Sequence, residues 1–220
     1  MSRIGLIDYG MGNRRSVQKA LERVGAEVRV THDHDELTAC DGLVLPGVGA
    51  FPTAMRALGE LRLVELVAEW GARGRPLLGV CLGMQLLFER SDELVPTAGL
   101  GLIAGTVTEL GARGLRVPHI GWNEVSFERT SRLLAGLPAG GCPFYHVHSF
   151  AVRPRDADDV IGTTEYGERF ATIVARGSVF GVQFHPEKSS AAGLHLLENF
   201  VASCRDAGAA APWPGAAATA

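Results

Sequence analysis

At 220 residues and a net charge of −3, the chain is long enough to bury a full core and carries no electrostatic reason to bind nucleic acid or an anionic membrane. Its four cysteines (Cys40, Cys81, Cys142 and Cys204) are too widely spaced for a zinc knuckle or a CxxC pair, and no apolar run nears the roughly 20 residues that span a bilayer. The N-terminus enters a strand-like run without a signal-peptide pattern, so the expectation is free thiols in a reducing cytoplasm.

Ile4–Asp8 reads as a first buried strand, followed by the glycine-rich turn Tyr9–Asn13, whose spacing is not that of a dinucleotide fingerprint. Helical spacing at Val17, Ala20, Leu21 and Val24 predicts a helix over Ser16–Val24, with Gly25 as its C-terminal cap. Glu27–Thr31 alternates as a second strand. His32–Glu36 reads as a solvated loop opening a short helix rather than as a metal cluster, and Gly42–Leu45 as a wholly apolar third strand. The turn Pro46–Phe51 follows directly, on the edge where parallel sheets take ligands. Helical segments run from Pro52 through Arg73. This β-α-β alternation predicts an α/β fold: a central, mostly parallel sheet with helices on both faces.

Pro76–Val80 is a short apolar run of the buried-strand kind, and Leu82–Arg90 has helix-forming composition, with apolar Leu82, Leu86 and Leu87. Cys81 therefore stands where a strand turns into a helix, with Gly79 and Gly83 two residues to either side. That is the thiol form of a nucleophile elbow, in which small flanking residues permit a sharp turn and leave the central side chain clear of the sheet. A helix N-terminus also favours the thiolate and offers N–H donors to an oxyanion. The competing account is a buried structural thiol.

After Gly99 the pattern changes to short alternating runs. Val107–Leu110, Leu115–Pro118, Glu124–Phe127, Phe144–Phe150, Val160–Thr164, Ala171–Ala175 and Val179–Phe184 are predicted strands, extending the sheet antiparallel in the second half. Ser190–Ala202 closes with a helix. The chain divides into one domain over 1–204 and a disordered Ala/Gly/Pro tail over 205–220.

A cysteine nucleophile needs a base. His195 lies mid-helix between leucines. His146 and His148 share one face of a strand but have no acid beside them. His185 ends a strand, and Pro186 holds the chain extended, so that His185 and Glu187 point to the same side. The carboxylate can then hold one ring nitrogen while the other faces the thiol.

These pieces together resemble the class I, triad-type glutamine amidotransferases: Gly79–Gln85 reads Gly-Val-Cys-Leu-Gly-Met-Gln, and His185-Pro186-Glu187 follows. Asp8–Asn13, Pro46–Phe51, Pro118–Asn123, His148–Phe150, Gly162–Tyr166 and Gln183–Ser189 are similar to segments of the glutaminase subunits of imidazole glycerol phosphate synthases, and the resemblance covers about 2–204. It implies a single-domain amidotransferase fold in which Cys81 attacks the glutamine side-chain amide, His185 moves the proton and Glu187 orients His185. The N–H groups of Val48 and Leu82 would hold the oxyanion. Gly49, Gln85, His148 and Ser149 would bind substrate, and Asn13, Pro118, Trp122, Asn123 and Lys188 would face a partner, with no metal or other cofactor. One departure stands out: Phe150 occupies the place of an expected tyrosine.

Nearly the whole length is taken by this fold, leaving no stretch to accept ammonia, so a partner is expected at the site. In that family it is a barrel-fold cyclase, forming a heterodimer that makes imidazole glycerol phosphate and aminoimidazole carboxamide ribonucleotide in histidine biosynthesis. The alternatives are the glutaminase subunit of another class I amidotransferase, or a non-catalytic thiol sensor on the same fold.

Overall fold

Parallel strands covered on both faces must be apolar along their whole length. In the computed structural model, which describes residues 1–207, that condition selects the centre of the molecule. The first half runs β1 (Arg3–Ile7), α1 (Arg14–Arg23), β2 (Glu27–Thr31), α2 (His34–Thr38), β3 (Gly42–Leu45), α3 (Phe51–Glu60), α4 (Leu63–Ala72), β4 (Leu77–Val80) and α5 (Leu82–Leu86). The second half runs β5 (Phe88–Ser91), β6 (Thr97–Ala98), β7 (Ile103–Glu109), β8 (His119–Phe127), β9 (Gly141–His148), β10 (Phe150–Pro154), β11 (Val160–Glu165), β12 (Arg169–Arg176), β13 (Val179–Val182) and α6 (Ser190–Ala207). Every residue of β3, β4 and β13 is buried.

The strands form one mixed thirteen-stranded sheet in the order β2-β1-β3-β4-β13-β12-β10-β7-β5-β6, with β11, β8 and β9 branching from β12. The block β2-β1-β3-β4-β13 is parallel throughout, and from β13 to β12 onward the pairing is largely antiparallel. One face is covered by α1 and α6 through Val17, Leu21, Leu197 and Phe200, the other by α3 and α4 through Phe51, Leu58, Val67 and Trp70. Trp70 is fully buried and donates from Nε1 to the Pro76 carbonyl (2.9 Å), which fixes the entry into β4. Among the described residues no helix is long and apolar enough to cross a membrane.

Several boundaries differ from the sequence reading: the strand expected at Val107–Leu110 spans Ile103–Glu109, and Phe144–Phe150 is divided between β9 and β10. The helix after Cys81 ends at Leu86, and Phe88–Ser91 becomes a strand because it pairs parallel to β7, with Phe88 fully buried in the core. Tertiary pairing here overrides helical propensity. Leu115–Pro118 is not a strand: Arg113 and Gly114 both have positive φ, and Leu115 and Val117 are exposed. The strand predicted over Glu124–Phe127 begins earlier, since β8 starts at His119 and pairs with β9 from His148 back to Gly141. The last helix continues to Ala207, so the expected tail begins inside it, and 208–220 lie outside the described residues. The loop His32–Glu36 does open a helix, with the Asp33 carboxylate accepting from the Glu36 N–H (2.9 Å).

Candidate active site

The C-terminal ends of β1, β3, β4 and β13 lie side by side, so the segments that follow them converge on one edge of the sheet. Cys81 stands between β4 and α5 at φ 56°, ψ −112°, a conformation that costs a non-glycine residue about 1–3 kcal/mol. The glycines around it are required by contact. A Cβ on Gly79 would sit 2.6 Å from the Gly83 carbonyl oxygen, and one on Gly83 would overlap the Leu45 carbonyl. The joint therefore closes only with glycine on both sides, as the elbow motif predicts. The Cys81 N–H is held by Val182 O at 2.8 Å.

His185 follows β13, with Nδ1 2.9 Å from Glu187 Oε1. The route to this pair differs from the expected extended segment, because Pro186–Lys188 is a 3₁₀ turn that folds the carboxylate back under the ring. Ser189 fixes the turn: its hydroxyl donates to His185 O (2.7 Å) and accepts from the Tyr145 N–H (3.0 Å), while the His185 N–H donates to Tyr145 O (2.9 Å). Burial alone would lower the His185 pKa. Hydrogen bonds to Cys81 and Glu187, and their charges, outweigh it and raise the imidazole to about 10. The Glu187 side chain is wholly buried with only Oε1 bonded, and the imidazolium is the charge that compensates it.

A cleft of about 310 Å³ opens over the sulfur, at the lower end of the roughly 300–1,000 Å³ usual for small-molecule sites. Val48, Gly49, Leu82 and Gln85 line it beside Cys81 and His185. His148, Ser149, Asn13, Pro118 and Lys188 also line it. Val48 keeps a negative φ, and the positive value falls on Gly49 (98°). Leu82 opens α5, where an N–H has no carbonyl one turn back. Trp122 and Asn123 lie outside the cleft. Trp122 is 54% exposed on the outward face of β8, next to exposed Ile120, and packs edge-on against Tyr145, over which Lys188 extends. Asn123 faces inward and bonds His119 and the Glu165 carbonyl. His148 lines the cleft with both ring nitrogens already bonded, to Phe150 O and to His119. Phe150 contributes its carbonyl, which accepts from Gln85 Nε2 (3.1 Å), so the missing tyrosine hydroxyl has no part in that contact.

Three residues of the site were not singled out from the sequence. Gln183 accepts from Gln85 Nε2 at 3.0 Å and places its own Nε2 3.8 Å from Cys81 Sγ. Its spacing of two from His185 was the available signal. Tyr9 is buried, and its phenol pKa is raised by burial and by the charge of Cys81, so the hydroxyl remains a donor to Pro46 O (2.7 Å) and steadies the 46–49 loop. Glu93 lines the cleft and bonds the Phe51 N–H (2.8 Å), capping α3 where Ala50 has no side chain to do so. No periodicity marks it.

The family model "Glutamine amidotransferase class-I" matches residues 5–204. Imidazole glycerol phosphate synthase subunit HisH of Moorella thermoacetica is 54% identical over 208 residues, covering 94% of this chain and 98% of that protein. The protein of the same name from Geobacillus kaustophilus is 49% identical over 204 residues, covering 90% and 95%. Among solved structures, PurLQS from Thermotoga maritima aligns with TM-score 0.72 at 20% identity, over 94% of this chain and 99% of that one. A crystal structure of a glutamine amidotransferase gives 0.70 at 23%, over 90% and 98%. At such identities the likeness is one of fold.

Proposed function

The chain belongs to the class I glutamine amidotransferases, and from that premise we propose that it is the glutamine-hydrolysing subunit of an imidazole glycerol phosphate synthase in histidine biosynthesis. The observation that carries the reading is the elbow thiol opening into the same small cleft as a histidine whose Nδ1 is held by a buried glutamate. Relatives at about half identity bear the name of that synthase's subunit.

The thiolate of Cys81 attacks the side-chain amide carbon of glutamine, and the Leu82 and Val48 N–H groups receive the developing oxyanion. Protonated His185 gives its proton to the departing nitrogen. The C–N bond breaks, ammonia leaves and a glutamyl thioester remains. His185, now neutral, takes a proton from water as the hydroxide adds to the thioester carbonyl, and glutamate departs with the thiolate restored. Glu187 keeps His185 oriented throughout. The Glu93 carboxylate and the Gln85 carbonyl oxygen are suited to the ammonium end of the substrate.

The partner is a barrel-fold cyclase that uses the ammonia to form imidazole glycerol phosphate and aminoimidazole carboxamide ribonucleotide. Ammonia released into water would protonate and diffuse away, so the acceptor must seal the cleft. Exposed Ile120 and Trp122 beside Lys188 form an apolar patch with a cationic edge, suited to such a contact. The test is to purify the full chain from its native host and ask whether a cyclase accompanies it and glutamine is hydrolysed. A pure, folded complex without glutaminase activity would overturn the reading. A thiol sensor would keep its chemistry in a His185→Ala variant, whereas the glutaminase loses it.

A further inference from the structure

Three buried histidines take no part in this proton transfer: His119 on β8, and His146 and His148 on β9. Their hydrogen bonds have a determined direction. His148 Nδ1 lies 2.9 Å from the Phe150 carbonyl oxygen, which can only accept, so that nitrogen carries the proton. Burial holds the ring neutral, lowering its pKa to about 4, and Nε2 is left as a lone pair. His119 Nδ1, 3.0 Å away, must then donate to it. His119 is also lowered to about 4 by burial and presents a lone pair at Nε2. Asn123 Nδ2 meets that lone pair at 3.3 Å and gives its other hydrogen to Glu165 O at 2.9 Å. A backbone carbonyl closes each end of the chain, the Glu165 one at the surface, and reversing the bonds would set the Nδ1 lone pair of buried His148 against the Phe150 carbonyl.

On the cleft side the same logic continues. The Phe150 carbonyl also receives Gln85 Nε2, whose second hydrogen goes to Gln183 Oε1. Both amide hydrogens of Gln85 are thereby used, and its remaining polar atom, an acceptor oxygen, is the one available to the cleft.

We infer that His119 is a positioning residue for glutamine: the Nδ1–H tautomer that Asn123 imposes on it locks His148 and the Phe150 carbonyl, and so holds the Gln85 amide with its oxygen toward the ammonium end of the substrate. This rests on the glutaminase reading of the cleft. Without the His119 donor, His148 must either leave Nε2 unpaired or shift its proton there. The shift would release the Phe150 carbonyl and, with it, one anchor of Gln85.

Two measurements test it. In the full chain labelled with ¹⁵N-histidine, long-range ¹H–¹⁵N correlation at neutral pH should show His119 and His148 both neutral and both in the Nδ1–H form. An Nε2–H form at either overturns the inference. The second measurement uses two variants, assayed for glutamine hydrolysis with the cyclase present. His119→Phe keeps the ring stacked on Tyr166 (4.0 Å) and His146 (4.9 Å) but cannot donate. His119→Gln can accept from Asn123 and donate to His148. The expected result is a KM for glutamine raised about tenfold in His119→Phe with kcat changed by less than about twofold, and a return toward the wild-type KM in His119→Gln. An unchanged KM in folded His119→Phe, or equal impairment of both variants, overturns the inference. Should His119→Phe fail to fold, the tautomers of the unaltered chain decide alone. Loss of the glutaminase reading would show differently, as a wild-type complex that does not hydrolyse glutamine.

Discussion

Two sets of buried imidazoles, each with one member lining the cleft, are held in opposite charge states. His185 is buried as deeply as His148, yet its pKa is raised to about 10 whereas that of His148 is lowered to about 4. Burial acts in the same direction on both. The difference is in partners: His185 has a thiol on one side and a fully buried carboxylate on the other, while His119, His146 and His148 bond carbonyls, a hydroxyl, an amide and one another. An imidazole needed as a proton donor is thus given an acid, and imidazoles needed as fixed struts are denied one.

The largest break in this contrast comes from Cys81→Ala, which removes both the proposed nucleophile and one support of the His185 proton. Glutamine hydrolysis should fall by at least about 10⁴-fold, while a cyclase supplied with ammonium salts keeps its rate; steady-state assays with each nitrogen source check this. Glu187→Gln removes the other support. Its neutral amide no longer stabilises the imidazolium, so kcat should drop by about 10³-fold, and the His185 titration followed by NMR should move down from near 10. Unchanged titration in that variant would mean the thiol alone sets the charge.

The neutral set is tested through stability. Burial, with His148, His119 and His185 adding to it, lowers His146 from near 6.5 to about 3, so below pH 6.5 the unfolded chain takes up a proton that the folded chain refuses. Stability is therefore present above pH 6.5 and is lost as pH falls toward 3. His146→Phe should flatten that acid limb by about 2 kcal/mol at pH 5, read from denaturant midpoints between pH 7 and 5. The smallest expected effect is on the outward face of β8. Trp122→Ala should weaken cyclase binding about tenfold by calorimetry while leaving the melting temperature within about 2 °C, since the ring is more than half exposed. A melting temperature that falls while affinity holds would place Trp122 with the core.

How much of this could be read from the chain depended on whether the chemistry was contiguous. Gly79, Cys81 and Gly83 announce a tight strand–helix joint because the glycines that permit it neighbour the thiol. His185 and Glu187 are likewise two residues apart, although the turn that joins them is not the extended segment that spacing suggested. The parallel half was legible from its apolar strands β1, β3, β4 and β13 and from the alternation of β2. The segment after Leu86 was not, because Phe88–Ser91 is made a strand by pairing with β7, fifteen or more positions later, against its local preference. Glu93 and Gln183 were missed for a related reason: a glutamate in a polar loop and a glutamine before a histidine acquire their roles only when distant backbone closes on them. The histidine chain is the extreme case, since its direction is set by two carbonyls, Phe150 and Glu165, that no side-chain pattern reveals.

The three bonds among Tyr145, His185 and Ser189 also have a consequence in time. They form a closed ring, so none can open for long without loosening the other two. The amides of Tyr145 and His185, forty positions apart in the chain, should therefore exchange their hydrogens with deuterated solvent at a common rate, as one local unfolding unit. The lifetime of that ring sets how long the proposed base keeps its place beside Cys81, and it can be far shorter than the lifetime of the fold.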